Sequence, residues 1–247
     1  MTKISASGLV VREQSVGEYD RLITVLTGKY GLVKAFCRGA KKSKSRKLSA
    51  TALLTYSEFT FVKSKDAYTV EDAVSRECFF GLRNDCIKTS FAQYICELAY
   101  DFCEEDYESE EILRLFLNSL YFLNTGTKSV GFIKAVTELR LLSLSGYMPD
   151  LVACDVCSAY ETELMYFVPE SGKLYCAEHK PLSYCLSVSS SVVKAMRYIT
   201  LSDFERIFFF SVSEETEKRL CEVSEKYLLH KSLRKYNTLE FLKMLSE

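Results

Sequence analysis

No run of apolar residues in this 247-residue chain approaches the roughly 18–20 that a bilayer-spanning helix needs, so no membrane anchor is expected. The first residues, Met1-Thr2-Lys3-Ile4-Ser5, lead straight into a strand-like pattern, without the apolar core or small-residue cleavage site of a secretory signal. A cytoplasmic protein is therefore expected. Proline is scarce: Pro149, Pro169 and Pro181 are all there are, and they confine the interruption of regular structure to one stretch. Histidine is scarcer still, with only His179 and His230, which leaves little for general-base chemistry. Also missing are G-x-G-x-x-G between a strand and a helix, G-x-S-x-G and H-E-x-x-H. Gly28-Lys29 resembles the end of a phosphate loop, but no glycine stands five residues before it. The acidic cluster Asp101, Glu104, Glu105, Asp106, Glu108, Glu110 and Glu111 reads as a solvated helix connection, not as a nuclease site. Together these absences argue against an enzyme.

Net charge is nearly absent too, at −1 from 32 basic and 33 acidic residues, but the balance conceals an asymmetry. Residues 1–70 carry 13 Lys and Arg against five acids and stand at +8, while the remainder, with 19 against 28, stands at −9. Such a split points to a polyanion-binding end. Hydrophobic residues make up 48% of the chain, enough for real cores.

From Gly8 to about Val74 the pattern is β-like. Residues 8–12, 22–26, 32–36, 58–62 and 67–70 are short, rich in β-branched or aromatic side chains, and separated by turn signals such as Ser15-Val16-Gly17, residues 27–31 and Lys63-Ser64-Lys65-Asp66. Five short strands with tight turns suit a closed barrel, of which the OB-fold is the commonest five-stranded example. After Cys78 the period becomes helical. Phe91, Tyr94, Ile95, Leu98 and Phe102 mark one helix face, and Ile112, Leu115, Phe116, Ser119, Leu120 and Leu123 a second. A third helix is expected over residues 129–145, with Val130, Ile133, Thr137, Leu141 and Leu144 on one side. Val192, Ala195, Met196 and Ile199 give another stripe, Ser202 with Glu205 suggests a capping box, and Ser213 opens an acid-led helix with Thr216, Leu220, Val223 and Tyr227 inward. The expected organisation is α+β: an OB-fold barrel over residues 1–77, then an α-helical domain over 78–247 with a zinc-binding insertion at about 149–181.

Ten cysteines could suggest disulfides, but Cys78, Cys86, Cys96, Cys103 and Cys221 fall on or beside helical patterns and read as small buried hydrophobes. Without an export signal a reducing compartment is expected. The informative subset is Cys154-Asp155-Val156-Cys157 and Cys176-Ala177-Glu178-His179, a C-x2-C-x18-C-x2-H pattern. Two close pairs at this separation are the usual spacing of a tetrahedral zinc site, and four protein ligands leave no open position for catalysis. One structural zinc on Cys154, Cys157, Cys176 and His179 is expected, with residues 164–168 and 173–175 forming a hairpin that supports it. His230 and Cys185 have no paired partner.

Residues 34–47 carry seven positive charges and no negative one: Lys34, Arg38, Lys41, Lys42, Lys44, Arg46 and Lys47. A charge run alone is often only a solvated face. This one lies between predicted barrel strands, where OB-folds present nucleic-acid contacts, and its small Gly and Ser residues let the backbone approach phosphates. These seven, with Arg21 as a weaker addition, are the expected DNA contacts. Phe36, Tyr56, Phe59 and Phe61 could stack on bases but are better read as core, because barrel strands bury one face.

The order Gly17-Glu18-Tyr19-Asp20-Arg21-Leu22, then residues 27–31, then Arg38-Gly39-Ala40-Lys41-Lys42 with Ser45-Arg46, followed by a helical region with two ligand pairs, resembles the bacterial RecO family of recombination mediators over essentially the whole chain. The resemblance implies an N-terminal OB-fold and a helical domain with an embedded zinc site. It implies binding to single- and double-stranded DNA, annealing of complementary strands and, with the partner RecR, help for the RecA recombinase on DNA coated by single-stranded-DNA-binding protein. Contact with the C-terminal tail of that binding protein and a nucleoid-associated place in the cytoplasm are implied as well. His179 stands where many relatives carry cysteine and keeps a valid ligand. Some relatives lack the ligands altogether, which makes the metal a support of the helical domain. The competing expectation is a zinc-containing protein-interaction adaptor without a direct DNA role.

Overall fold

A computed structural model of the chain describes residues 2–65 and 67–246. The β-like third of the sequence forms β1 (Thr2–Val16), β2 (Asp20–Thr27), β3 (Gly31–Cys37), β4 (Tyr56–Lys63) and β5 (Tyr68–Glu77). They close into a barrel in the order β1-β2-β3-β5-β4. β1 serves two neighbours, pairing with β4 through Thr2–Leu9 and with β2 through Gly8–Val16, and a register shift between Val10 and Arg12 lets it turn between them. The one parallel pairing, Ala35 with Tyr68 and Phe36 with Thr69, closes the ring. Alternation then sends Val10, Ile23, Val25, Val33, Ala35 and Phe61 into a common interior. Phe59 joins Phe61 there, with ring centroids 5.2 Å apart, whereas Phe36 and Tyr56 are half-buried and lie outside that cluster. In the expected turn at residues 63–66, Ser64 N–H reaches the Ala67 carbonyl at 2.9 Å; Asp66 itself lies outside the described residues.

Helices α1 (Lys47–Ala50), α2 (Cys86–Phe102) and α3 (Glu110–Thr125) follow in the same half of the chain. Asp85 caps α2 by accepting from the N–H groups of Ile87 and Lys88. Its predicted face is buried at Phe91, Tyr94, Ile95 and Leu98, and all six predicted inward residues of α3 are buried. The thiols of Cys96 and Cys103 are buried as expected, and burial pushes both up to about 12. Cys86, also read as buried, is exposed at the first position of α2.

The chain divides into two compact units, and the division does not follow the end of the barrel. One unit comprises the chain as far as Gly126 plus the stretch from Tyr236 onward; the other is Thr127–Lys235. The first therefore takes back the last helix, α7 (Asn237–Ser246), which packs against α2. Tyr94 and Tyr236 meet edge to face at 5.4 Å, and Thr238 Oγ1 donates to Glu97 at 2.7 Å.

In the second unit α4 (Val130–Leu144), α5 (Ser190–Leu201) and α6 (Glu214–Ser232) pack together beside a four-stranded sheet of β6 (Asp150–Cys154), β7 (Leu164–Val168), β8 (Lys173–Cys176) and β9 (Leu186–Ser189), ordered β6-β8-β7-β9. Ser129 and Ser213 cap α4 and α6 through their hydroxyls. α4 is buried on every side from Phe132 to Leu139, so the single predicted face was too narrow. Within it the Lys134 ammonium lies 3.0 Å from both Glu138 and Glu225, and Ser224 Oγ donates to Glu138 at 2.6 Å. No helix begins at Ser202: its N–H closes α5 on the Tyr198 carbonyl, and tight turns at Asp203–Arg206 and Arg206–Phe209 follow. Among the described residues no helix is long and apolar enough to cross a membrane.

Candidate metal centre and nucleic-acid interface

Cys154 ends β6 and Cys176 ends β8, so strand pairing within one sheet fixes the first ligand of each pair. A tight turn then returns the chain at Cys157, with Ser158 N–H bonded to the Cys154 carbonyl and Ser158 in the left-handed region at φ 59°. After Cys176 a single 3-10 turn, Ala177–His179, swings the imidazole back. The β7–β8 turn depends on Gly172, at φ 72°, where a Cβ would stand 2.6 Å from the Tyr227 hydroxyl.

The four expected ligand atoms lie within 4.8 Å of one another. Cys157 and Cys176 Sγ are 3.7 Å apart, and Cys176 Sγ is 3.2 Å from His179 Nδ1. A disulfide needs about 2.05 Å between sulfurs, so these thiols are not bonded. Two sulfurs on a tetrahedral ion at about 2.3 Å lie about 3.8 Å from each other, which matches the observed edge. Cys154 and Cys176 are buried while Cys157 is exposed. Burial opposes charge on Cys154, but the backbone N–H groups of Cys157, Cys176 and Val156 outweigh it and draw the thiol down to about 6. The donor set fits a closed, tetrahedral ion, with three soft sulfurs and one imidazole. Neither Cys185 nor His230 joins it.

The basic residues fall at one end of the barrel. β2 starts where β3 ends, Arg21 pairing with Cys37, so the chain from Arg38 onward emerges beside the β1–β2 turn. Backbone contacts hold this loop: Gly39, at φ 65°, donates to Asp20 Oδ1 at 2.7 Å, and Lys41 N–H donates to the Tyr19 carbonyl at 2.9 Å. Arg38, Lys42, Lys44 and Arg46 are exposed on it, and Lys34 is exposed on β3. Among the described residues no carboxylate lies within ion-pair distance of these five, whereas Lys3, Lys63 and Arg76 are paired with Glu71, Asp106 and Glu58. Lys41 is half-buried, and Lys47 is half-buried with its ammonium donating to the Val70 carbonyl at 3.2 Å.

Arg21 does not belong with them. It is only 9% exposed, its Nε lies 2.9 Å from Glu13, and Nη1 donates to the Leu48 carbonyl at 2.7 Å and to Thr51 Oγ1 at 3.0 Å. It ties the α1 turn to the barrel wall and is withdrawn from any phosphate. Arg12, which the charge run did not single out, is exposed on the outward face of β1, 5.7 Å from the Tyr100 ring. With Lys34, Thr24 and Tyr100 it lines an open cleft of about 320 Å³ that is also lined by Glu104 and Glu105. The signal was available in the alternation of β1, which sends Arg12 and Gln14 to the same side.

The opposite end of the barrel is acidic. The segment after α2 docks on the β2–β3 turn through Leu32 N–H to Glu104 O, Asp106 N–H to Tyr30 O and Ser109 N–H to Gly28 O. Gly31 is needed there: it sits at φ 59°, and a Cβ would collide with the Glu104 carbonyl. Eight residues of β2 separate the two ends, about 25 Å at strand rise.

A closed five-stranded barrel, basic at one end, joined to a helical unit that carries a Cys3His cluster able to hold a metal ion, defines a two-module α+β protein. The comparisons with known proteins narrow this. The family model described as "Recombination protein O N terminal" matches residues 1–79, and "Recombination protein O C terminal" matches residues 83–240. The chain belongs to the recombination protein O family. It is 35% identical to the "DNA repair protein RecO" of Acetivibrio thermocellus over 246 residues, covering 99% of this chain and 98% of that one. It is 31% identical over 219 residues to the protein of the same description from Dehalococcoides mccartyi strain CBDB1, covering 87% and 86% of the two chains. It is 28% identical over 242 residues to that of Alkaliphilus metalliredigens, covering 97% and 98%.

Proposed function

We infer that this chain is a non-enzymatic, DNA-binding recombination mediator in DNA repair. In this reading it binds single- and double-stranded DNA through the basic end of its barrel, which we take as an OB-fold, and anneals complementary strands. With RecR it assists RecA on DNA coated by single-stranded-DNA-binding protein, whose C-terminal tail it contacts, in the cytoplasm. The observation that carries the reading is the loop between β3 and α1: Arg38, Lys42, Lys44 and Arg46 are exposed, held on a fixed backbone and make no ion pair among the described residues. The order β1-β2-β3-β5-β4 supports the OB-fold assignment.

Annealing needs no catalytic group. Two strands repel through their phosphates, and cations that screen both lower the barrier to pairing while leaving base edges free. The zinc assigned to Cys154, Cys157, Cys176 and His179 would hold the β6 and β8 ends together and supply no chemistry of its own.

The test is annealing of complementary oligonucleotides, naked and coated with single-stranded-DNA-binding protein, with and without RecR. Acceleration in both is expected. No acceleration, together with no shift of a bare oligonucleotide at low salt, would leave the chain as a protein adaptor only.

A further inference from the structure

We propose that Tyr19, at the β1–β2 turn, is a stacking platform for an unpaired nucleobase that adds affinity for single strands to a basic end which also binds duplex. The proposal rests on the DNA-binding reading above and adds to it a residue that recognises bases where the loop recognises phosphates.

Three features of the turn support it. First, the ring is 47% exposed, whereas the barrel aromatics Phe59 and Phe61 are at 2% and 0%. A turn tip usually carries a small polar residue, and a phenol placed there exposes apolar area that the fold itself does not use. Second, the turn is tied to the phosphate loop. Lys41 N–H donates to the Tyr19 carbonyl, Gly39 N–H donates to the neighbouring Asp20 carboxylate, and the Lys42 ammonium stands 5.8 Å from the Tyr19 ring centroid. A strand whose phosphates sit on the loop therefore brings its bases to a ring held in register with it. Third, a phenol is neutral at physiological pH, and the Glu18 carboxylate beside it only raises its pKa further, so the ring brings no charge of its own. The base takes the ring face that Lys42 does not cover. Beyond Tyr19, the outward positions of β1, β2 and β3 offer Leu22 and Phe36 as half-buried surface and then Arg12 and Lys34 as cations, a path for the continuing strand.

Bases in a duplex are already stacked on each other, so this contact distinguishes strands from duplex where the loop cannot. Base-aromatic stacking is sequence-tolerant, as an annealing protein requires.

The sequence contains no tryptophan, so Tyr19→Trp introduces a single indole that reports on stacking. The full-length protein is titrated with an oligo-dT strand, with an abasic strand of equal length and charge, and with duplex. Expected are indole quenching by oligo-dT and little by the abasic strand. Tyr19→Ala should weaken oligo-dT binding about tenfold, leave duplex affinity and the salt slope unchanged, and be rescued by Tyr19→Phe. Equal binding of dT and abasic strands by the wild-type protein, or full oligo-dT affinity in Tyr19→Ala, overturns the role of Tyr19 alone. A wild-type protein that binds no DNA overturns the phosphate-loop reading, and the Tyr19 proposal with it. Thermal midpoints of the three variants check that the turn is intact.

Discussion

Replacing Lys42, Lys44 and Arg46 together by alanine removes three exposed cations from a loop whose backbone is secured elsewhere, by Gly39 to Asp20 and Lys41 to Tyr19. The fold should not notice: all three are exposed and outside any ion pair among the described residues, and Arg46, at the N-cap of α1, makes no side-chain cap bond, so the change in stability should stay within about 0.5 kcal/mol. DNA binding should. Each phosphate contact contributes about 0.7 to the slope of log K against log salt on a single strand and about 0.9 on duplex, because neutralisation releases condensed counterion. Three lost contacts lower the slope by about 2 on single strands and about 2.7 on duplex. At 0.1 M salt the first figure amounts to about a hundredfold loss of affinity. Fluorescence anisotropy of a labelled oligonucleotide at four or five salt concentrations measures both quantities, with circular dichroism melts as the control for folding. A variant that loses affinity with an unchanged slope would place its effect outside phosphate contacts. Unchanged affinity and slope would refute the assignment of the loop.

Arg21→Ala should do the reverse: the loss of the Glu13 pair and of the bonds to Leu48 and Thr51 destabilises the protein by about 2–3 kcal/mol in denaturant titration, while the salt slope of the refolded protein stays the same. Protein purified without added metal should hold one zinc per chain, and a strong chelator, or Cys154→Ser, should release it and lower the thermal midpoint; absence of stoichiometric metal would remove the assignment. Lys134→Met takes the ammonium from buried Glu138 and should cost about 3–5 kcal/mol near neutral pH. Burial already raises the pKa of Glu138, and without Lys134 it rises further. A carboxyl raised on folding loses stability as pH climbs above its unfolded value, so the deficit should shrink when the pH is brought below about 4.5. A deficit that stays constant across that range would contradict the account.

Much of this could be read from residue order because the signals were local. The five strands declared themselves through β-branched runs and glycine turns, and the ligand pairs through spacing. What escaped was decided by distant chain. Leu239 and Leu242 of α7, and Tyr236 just before it, are buried, but the surface they cover belongs to α2, some 140 residues earlier. Arg21 looked like one more cation of a basic segment. Its register opposite Cys37 puts it on an inward strand position, where only Glu13 from another strand accounts for its charge. Ser202 with Glu205 has the letters of a capping box, yet Phe204, Ile207 and Phe208 are buried on consecutive tight turns, a solution that periodicity does not separate from a helix. Of the barrel aromatics, the four considered for stacking lay in strands, whereas the exposed Tyr19 sat in a turn too short to show a pattern.

The return of α7 to the first unit gives the chain a particular history during synthesis. The barrel leaves the ribosome before α2, which follows with one flank still bare, because its partner α7 comes only after the whole Thr127–Lys235 unit. At about 5–20 residues per second the wait lasts on the order of ten seconds, during which the entire Thr127–Lys235 unit is made and can fold. A ribosome that stops short of Tyr236 would release a chain with its second unit whole and its first incomplete. The unit that holds the barrel therefore closes only after the second unit has been made, when α7 reaches α2.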